Sequence, residues 1–137
     1  VLQKGTELGV RHFIPMLTDR TEKTGFDIER AEKIVIEASE QCGRSDIPRV
    51  REPIHIEKVI DELSGKVELF VAEQGSPQMP NASLHTPNAK GVLVGPEGGW
   101  SDNEKELFKT KNLRHLALSE FTLRAETACI SACALLQ

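Results

Sequence analysis

The sequence predicts an α/β domain, a mainly parallel sheet flanked by helices. Three observations carry this. Apolar, strand-like runs at residues 13–17, 67–72, 92–94 and 113–118 alternate with stretches whose apolar residues recur at helical spacing. Residues 91–108 pass from a short apolar strand through a glycine-rich turn into a helix, and in open α/β sheets such corners lie where ligands bind. A length of 137 residues allows one good core and a single domain.

Taken in order, residues 1–10 read as the end of a helix stopped by Gly9. Residues 13–17 give a short strand that ends near Pro15, and residues 19–25 are a charged, solvated loop. Asp27 is placed to cap a helix whose Ile28, Ala31, Ile34, Val35, Ala38 and Cys42 share one face, ending at Gly43. Three arginines and two prolines in residues 44–53 predict an extended connector. Ile56, Val59, Ile60 and Leu63 mark a short amphipathic helix closed by Gly65, and residues 67–72 are the clearest strand. Residues 73–90 lack periodicity, as a functional or disordered segment would.

At the central corner, Val92, Leu93 and Val94 form the strand, and Gly95, Gly98 and Gly99 give the turn positive φ and room for a close neighbour. Ser101 and Glu104 form a capping box that starts the next helix, to about residue 111. A strand at 113–118, a loop at 119–124 and a helix at 125–137 rich in small residues complete the chain. That last helix reads as a core helix or a subunit contact.

Charge limits what the corner can hold. Glu97, Asp102 and Glu104 would repel a phosphate at this helix start, and neither GxGxxG nor GxxxxGK[ST] is present. A phosphate-free, adenosine-like ligand bearing positive charge fits better; a turn that only packs is the alternative reading. The net charge of −4 gathers its acidic excess after residue 51, where eight Lys/Arg face twelve Asp/Glu. That balance argues mildly against nucleic acid unless a local patch or another domain supplies the contact. No long apolar run or signal peptide directs the chain to a membrane. Cys42, Cys129 and Cys133 show no disulfide or zinc pattern and read as reduced, small core residues. His12, His55, His85 and His115 lack ligand spacing, so no metal is expected.

Three polar clusters remain. Lys4, Glu7 and Arg11 share a helix face, which fits a solvated charge ladder. Glu40, Gln41, Cys42, Gly43 and Arg44 close a helix, where an arginine suits the dipole. Arg124, beside Glu126 and Thr127 at a helix start, has no obvious structural task. No Ser/His/Asp or Cys/His constellation is visible.

Gly95, Pro96, Glu97, Gly98 and Gly99 after a strand, followed downstream by Leu123, Arg124, Ala125, Glu126, Thr127 and Ala128, resemble the ribosomal RNA small subunit methyltransferase E family. Residues 3–10 and 40–44 match as well, in the family's order, so the resemblance spans nearly the whole chain. It implies a SPOUT-type fold with a carboxyl-terminal trefoil knot, S-adenosylmethionine as cofactor, a cytoplasmic homodimer, and methylation of N3 of a uridine in the small-subunit (16S) ribosomal RNA. It also implies that residues 1–137 are a SPOUT domain and a fragment, without the family's amino-terminal PUA-like β-barrel and first strand. The implied cofactor contacts are Ala72, Glu73, Gly95, Pro96, Glu97, Gly98, Gly99, Leu118, Ser119 and Leu123. Arg124 is the expected catalytic cation and Glu126 the expected base, with Glu7 as a second candidate; Lys4, Glu7, Gln41 and Arg44 are expected at the RNA. One departure stands out: many members have Gly-x-Arg-Ile where this chain has Ser119, Glu120, Phe121 and Thr122, which leaves Arg124 as the only guanidinium of that loop. Rival readings are a SPOUT methyltransferase acting on another RNA, and a non-catalytic RNA-binding module of the same fold.

Overall fold

The computed structural model of the chain describes residues 1–22, 25–76 and 88–137. Its centre is a parallel three-stranded sheet in the order β6-β5-β7, formed by β5 (Glu68–Ala72), β6 (Lys90–Val94) and β7 (Arg114–Leu116). β5 lies in the middle, so Phe70 faces Val92 on one side and Arg114 on the other in register. A central parallel strand is covered on both faces, which explains the unbroken apolar run Leu69, Phe70 and Val71.

Successive side chains of β5 enter two cores. Val71 joins Leu93, Trp100 and Phe108 with Ile56, Val59 and Ile60 of helix α3 (Ile56–Leu63). Phe70 and Leu116 face the other way and collect Val92, Leu118, Leu135 and Leu136. Phe70, Phe108 and Ile60 are fully buried, each contributing about 1.5–3 kcal/mol by removal from water. Helix α4 (Asp102–Thr110) supplies Phe108, and helix α5 (Ala125–Leu135) ends at the second core.

The amino-terminal half is built from helix α1 (Leu2–Glu7), helix α2 (Ile28–Cys42) and four two-residue strands. β1 (His12–Phe13) pairs parallel with β3 (Arg49–Val50), and β2 (Met16–Leu17) with β4 (Ile54–His55). Here two expectations need correction. The strand predicted to end near Pro15 is interrupted there and resumes, because proline has no N–H to donate although its carbonyl still accepts from Ile54 N at 3.1 Å. The connector at 44–53 contains β3, too short a pairing to leave any periodicity. α2 begins at Asp27, whose side chain accepts from Arg30 N, and stops at Gly43 in the left-handed region.

The cysteines also depart from expectation. Cys42 is exposed and Cys129 and Cys133 are only half-buried; all three are free. Cys42 is the final residue of α2, beyond the buried stripe of Ala31, Val35 and Ala38. Burial still pushes the Cys129 thiol up to about 11. Most of the aperiodic segment at 73–90 lies outside the described residues. Among the described residues no helix is long and apolar enough to cross a membrane, and no cluster of His, Cys, Asp or Glu is arranged to hold a metal.

Candidate functional site

The glycine bend is closed by one hydrogen bond, from Gly99 N to Pro96 O at 2.8 Å. Of its three glycines only Gly99 has positive φ, +69°, which corrects the expectation for Gly95 and Gly98. Gly95 is needed for space instead. A Cβ there would stand 3.0 Å from the Trp100 ring. Trp100 lies buried under the bend, meets Phe108 edge-on with ring centroids 5.0 Å apart, and donates from Nε1 to Ala72 O at 3.1 Å. One indole thus ties the bend to the end of β5.

Glu104 has a task the sequence only half reveals. Its side chain accepts from Ser101 N at 2.8 Å and Ser101 Oγ accepts from Glu104 N at 3.1 Å, which completes the expected capping box. The other carboxylate oxygen accepts from Asp19 N at 3.0 Å, and Ser101 Oγ donates to Asp19. Arg20 Nη1 donates to Gly98 O at 2.6 Å, with its methylenes over that glycine. The segment around residues 19–20, expected to be solvated loop, is therefore latched to the bend. Nothing in its local sequence signals this, because the partners lie 78 to 85 residues away.

Together these elements bound a groove of about 390 Å³. All ten positions expected at a cofactor line it: Ala72, Glu73, Gly95, Pro96, Glu97, Gly98, Gly99, Leu118, Ser119 and Leu123. Phe121, within the 118–123 loop that the resemblance set against the cofactor, lines it as well, as do Arg20, Gln74 and Lys105, which sequence reasoning did not place there. Glu73 sits where β5 ends, held by Lys105 at 3.1 Å and by His115 Nδ1 at 2.9 Å. The opposite segment is fixed by Thr122 Oγ1 donating to Gln74 Oε1 at 2.7 Å.

Arg124 and Glu126 are exposed at the start of α5, next to the groove-lining Leu123 and Ala125. Among the described residues the Arg124 side chain has no hydrogen bond or ion pair. The residues expected at RNA stand apart from this groove. Lys4 pairs with Glu7 at 2.9 Å along α1. Arg44 donates through Nη1 to Thr6 O at 2.8 Å and Val10 O at 2.9 Å, and through Nε and Nη2 to Asp46. That guanidinium closes the end of α1 and holds the Asp46 carboxyl below its usual value. Gln41 lines a second concavity, about 590 Å³, between α1 and α2.

The groove can hold a flat, phosphate-free ligand. Its floor is close-packed glycine backbone over Trp100, its carboxylates are Glu73 and Glu97, and no lysine is set in the bend as it would be for a phosphate. Comparison with known proteins agrees in kind. The profile of the RNA methyltransferase domain family matches residues 1–137. Ribosomal RNA small subunit methyltransferase E of Aquifex aeolicus is 32% identical over 136 residues, covering 96% of this chain and 58% of that protein. The protein of the same name from Synechocystis is 35% identical over 136 residues, covering 93% and 45%. The chain thus spans about half the length of these relatives. A crystal structure of ribosomal RNA small subunit methyltransferase E from Neisseria gonorrhoeae, bound to S-adenosyl methionine, superposes with a TM-score of 0.89 at 29% identity, covering 99% of this chain and 58% of that one.

Proposed function

This chain belongs to the RNA methyltransferase domain family, and from that premise we propose that it binds S-adenosylmethionine in the groove at the glycine bend and methylates N3 of a uridine in small-subunit ribosomal RNA. The convergence of the ten expected cofactor positions on one groove is the observation that carries this reading. The fit is chemical as well as spatial. The groove has open space at Gly99, and Glu73 and Glu97 suit the sulfonium and ammonium of this cofactor, which carries one carboxylate and no phosphate. The acidic corner that argues against nucleotides argues for this cofactor.

When bound, the cofactor supplies a methyl group already activated by its sulfonium. The protein's own work is orientation and control of the uracil proton. Uracil N3 ionises roughly two to three units above neutrality, so stabilising its anion asks about 3–4 kcal/mol. Arg124 is the cation suited to that task, being exposed beside the groove with no partner for its guanidinium among the described residues. Glu126, in the first turn of the same helix, is assigned the proton. Lys4 and Gln41 are assigned to the RNA on the far side of α1 and α2; Arg44 serves there by fixing α1. We infer further a cytoplasmic homodimer and a chain knotted where residues 118–124 meet the bend.

Incubation with labelled S-adenosylmethionine and small-subunit ribosomal RNA, followed by nucleoside mapping, tests the proposal. Label in 3-methyluridine is the expected result. Label in another nucleoside would reassign the substrate, and absence of both transfer and cofactor binding would refute the reading.

A further inference from the structure

Phe121 is 71% exposed, the most exposed large hydrophobic side chain among the described residues, and it lines the groove. Such a ring loses favourable burial unless something covers it. Its position is fixed by neighbours: Phe121 N donates to Ser119 Oγ at 3.0 Å, and Thr122 holds Gln74 at 2.7 Å. The loop therefore presents the ring outward at a defined place on the rim, while Trp100 and Ala128 form the covered floor. The same groove carries the Arg20 guanidinium, which spends one Nη on Gly98 O and has no other partner among the described residues. A planar apolar face and an open guanidinium lining one groove match an unpaired nucleotide better than an aliphatic or acidic protein surface.

We propose that Phe121 is a stacking platform for an unpaired base of the RNA substrate, with Arg20 facing the polar edge of that base. This rests on the methyltransferase reading and adds a specificity-determining residue to it. A stacking contact releases no counterion, so its share of RNA affinity depends little on salt.

The test compares the wild-type chain with Phe121→Ala and Phe121→Trp. Calorimetry with S-adenosylhomocysteine, fluorescence anisotropy with a single-stranded oligouridylate, and sedimentation velocity are measured on each. The expected result is an unchanged association state and a cofactor-product affinity that falls by no more than about threefold, with RNA affinity about 5- to 30-fold weaker in Phe121→Ala and restored in Phe121→Trp. The new indole should also be quenched by RNA, whereas the emission of buried Trp100 in the wild type should not respond. Equal RNA affinity of wild type and Phe121→Ala overturns the proposal. So does a matching loss of S-adenosylhomocysteine affinity, which would give the ring to the cofactor adenine, or a shift in sedimentation, which would make it a subunit contact. Failure of the wild type to bind S-adenosylhomocysteine at all would instead strike the methyltransferase reading itself.

Discussion

Arg44 at the end of α2 and Arg20 beside the glycine bend show how differently two regions of this domain use charge. Arg44 engages Thr6 O, Val10 O and Asp46, and its neighbour Lys4 is paired with Glu7. At the bend, among the described residues, the Arg20 side chain makes a single hydrogen bond and the Arg124 side chain none. The first region holds its own backbone together; the second leaves donors open around a groove whose supports, Trp100 and Glu104, are buried. Charge density in a sequence therefore does not distinguish the two. What distinguishes them is how many donors of each charged head already have partners.

Substitutions at each region should separate these roles. The largest effect is expected for Arg124→Ala, which should slow single-turnover methyl transfer about 100- to 1000-fold while S-adenosylhomocysteine affinity stays within about twofold. Equal loss of both would remove the division between Arg124 and the groove. Next is Glu104→Ala. It strips the partners from Ser101 N and Asp19 N, so urea unfolding should show a loss of about 2–3 kcal/mol, accompanied by weaker cofactor-product binding as the latch from residues 19–20 loosens.

Arg44→Ala should cost about 1–2 kcal/mol of stability, because Val10 O loses its Arg44 donor and Thr6 O keeps only Gly9 N, with cofactor-product affinity unchanged. A large affinity change there would erase the contrast between the regions. The smallest effect is the pH dependence of Cys129. Its folded thiol is raised from 9.0 to about 11, so it favours the folded state fully below pH 9 and that contribution is lost as pH rises towards 11. The unfolding free energy from urea titration should fall accordingly, by under about 1 kcal/mol at pH 9.5. Iodoacetamide at pH 8 should label exposed Cys42 well before Cys129.

Much of the fold was legible because its signals are local. The capping box of Ser101 and Glu104, the Asp27 cap, the Gly43 stop and the apolar run of β5 each depend on residues within a few positions of one another. The two-residue strands β1 to β4 carry no such signal, since a pairing of two residues imposes no alternation. In the groove, the bend at residues 95–99 could be recognised from its glycines and the segment at 118–123 from family resemblance. Arg20 and Trp100 could not: Arg20 reaches Gly98 across 78 residues and Trp100 reaches Ala72 across 28, and only the chain path brings them together. Gly95 shows the same limit, because its reason is the indole pressed against it rather than a positive φ.

Calorimetric titration of the chain with S-adenosylhomocysteine, alongside Gly95→Val, tests the central claim most directly. One site per chain is expected for the wild type, with binding lost or weakened more than about tenfold in Gly95→Val, whose branched side chain would displace Trp100 and fill the bend. A wild type that stays folded by circular dichroism yet gives no binding heat, or a folded Gly95→Val that binds as tightly as the wild type, would contradict the account.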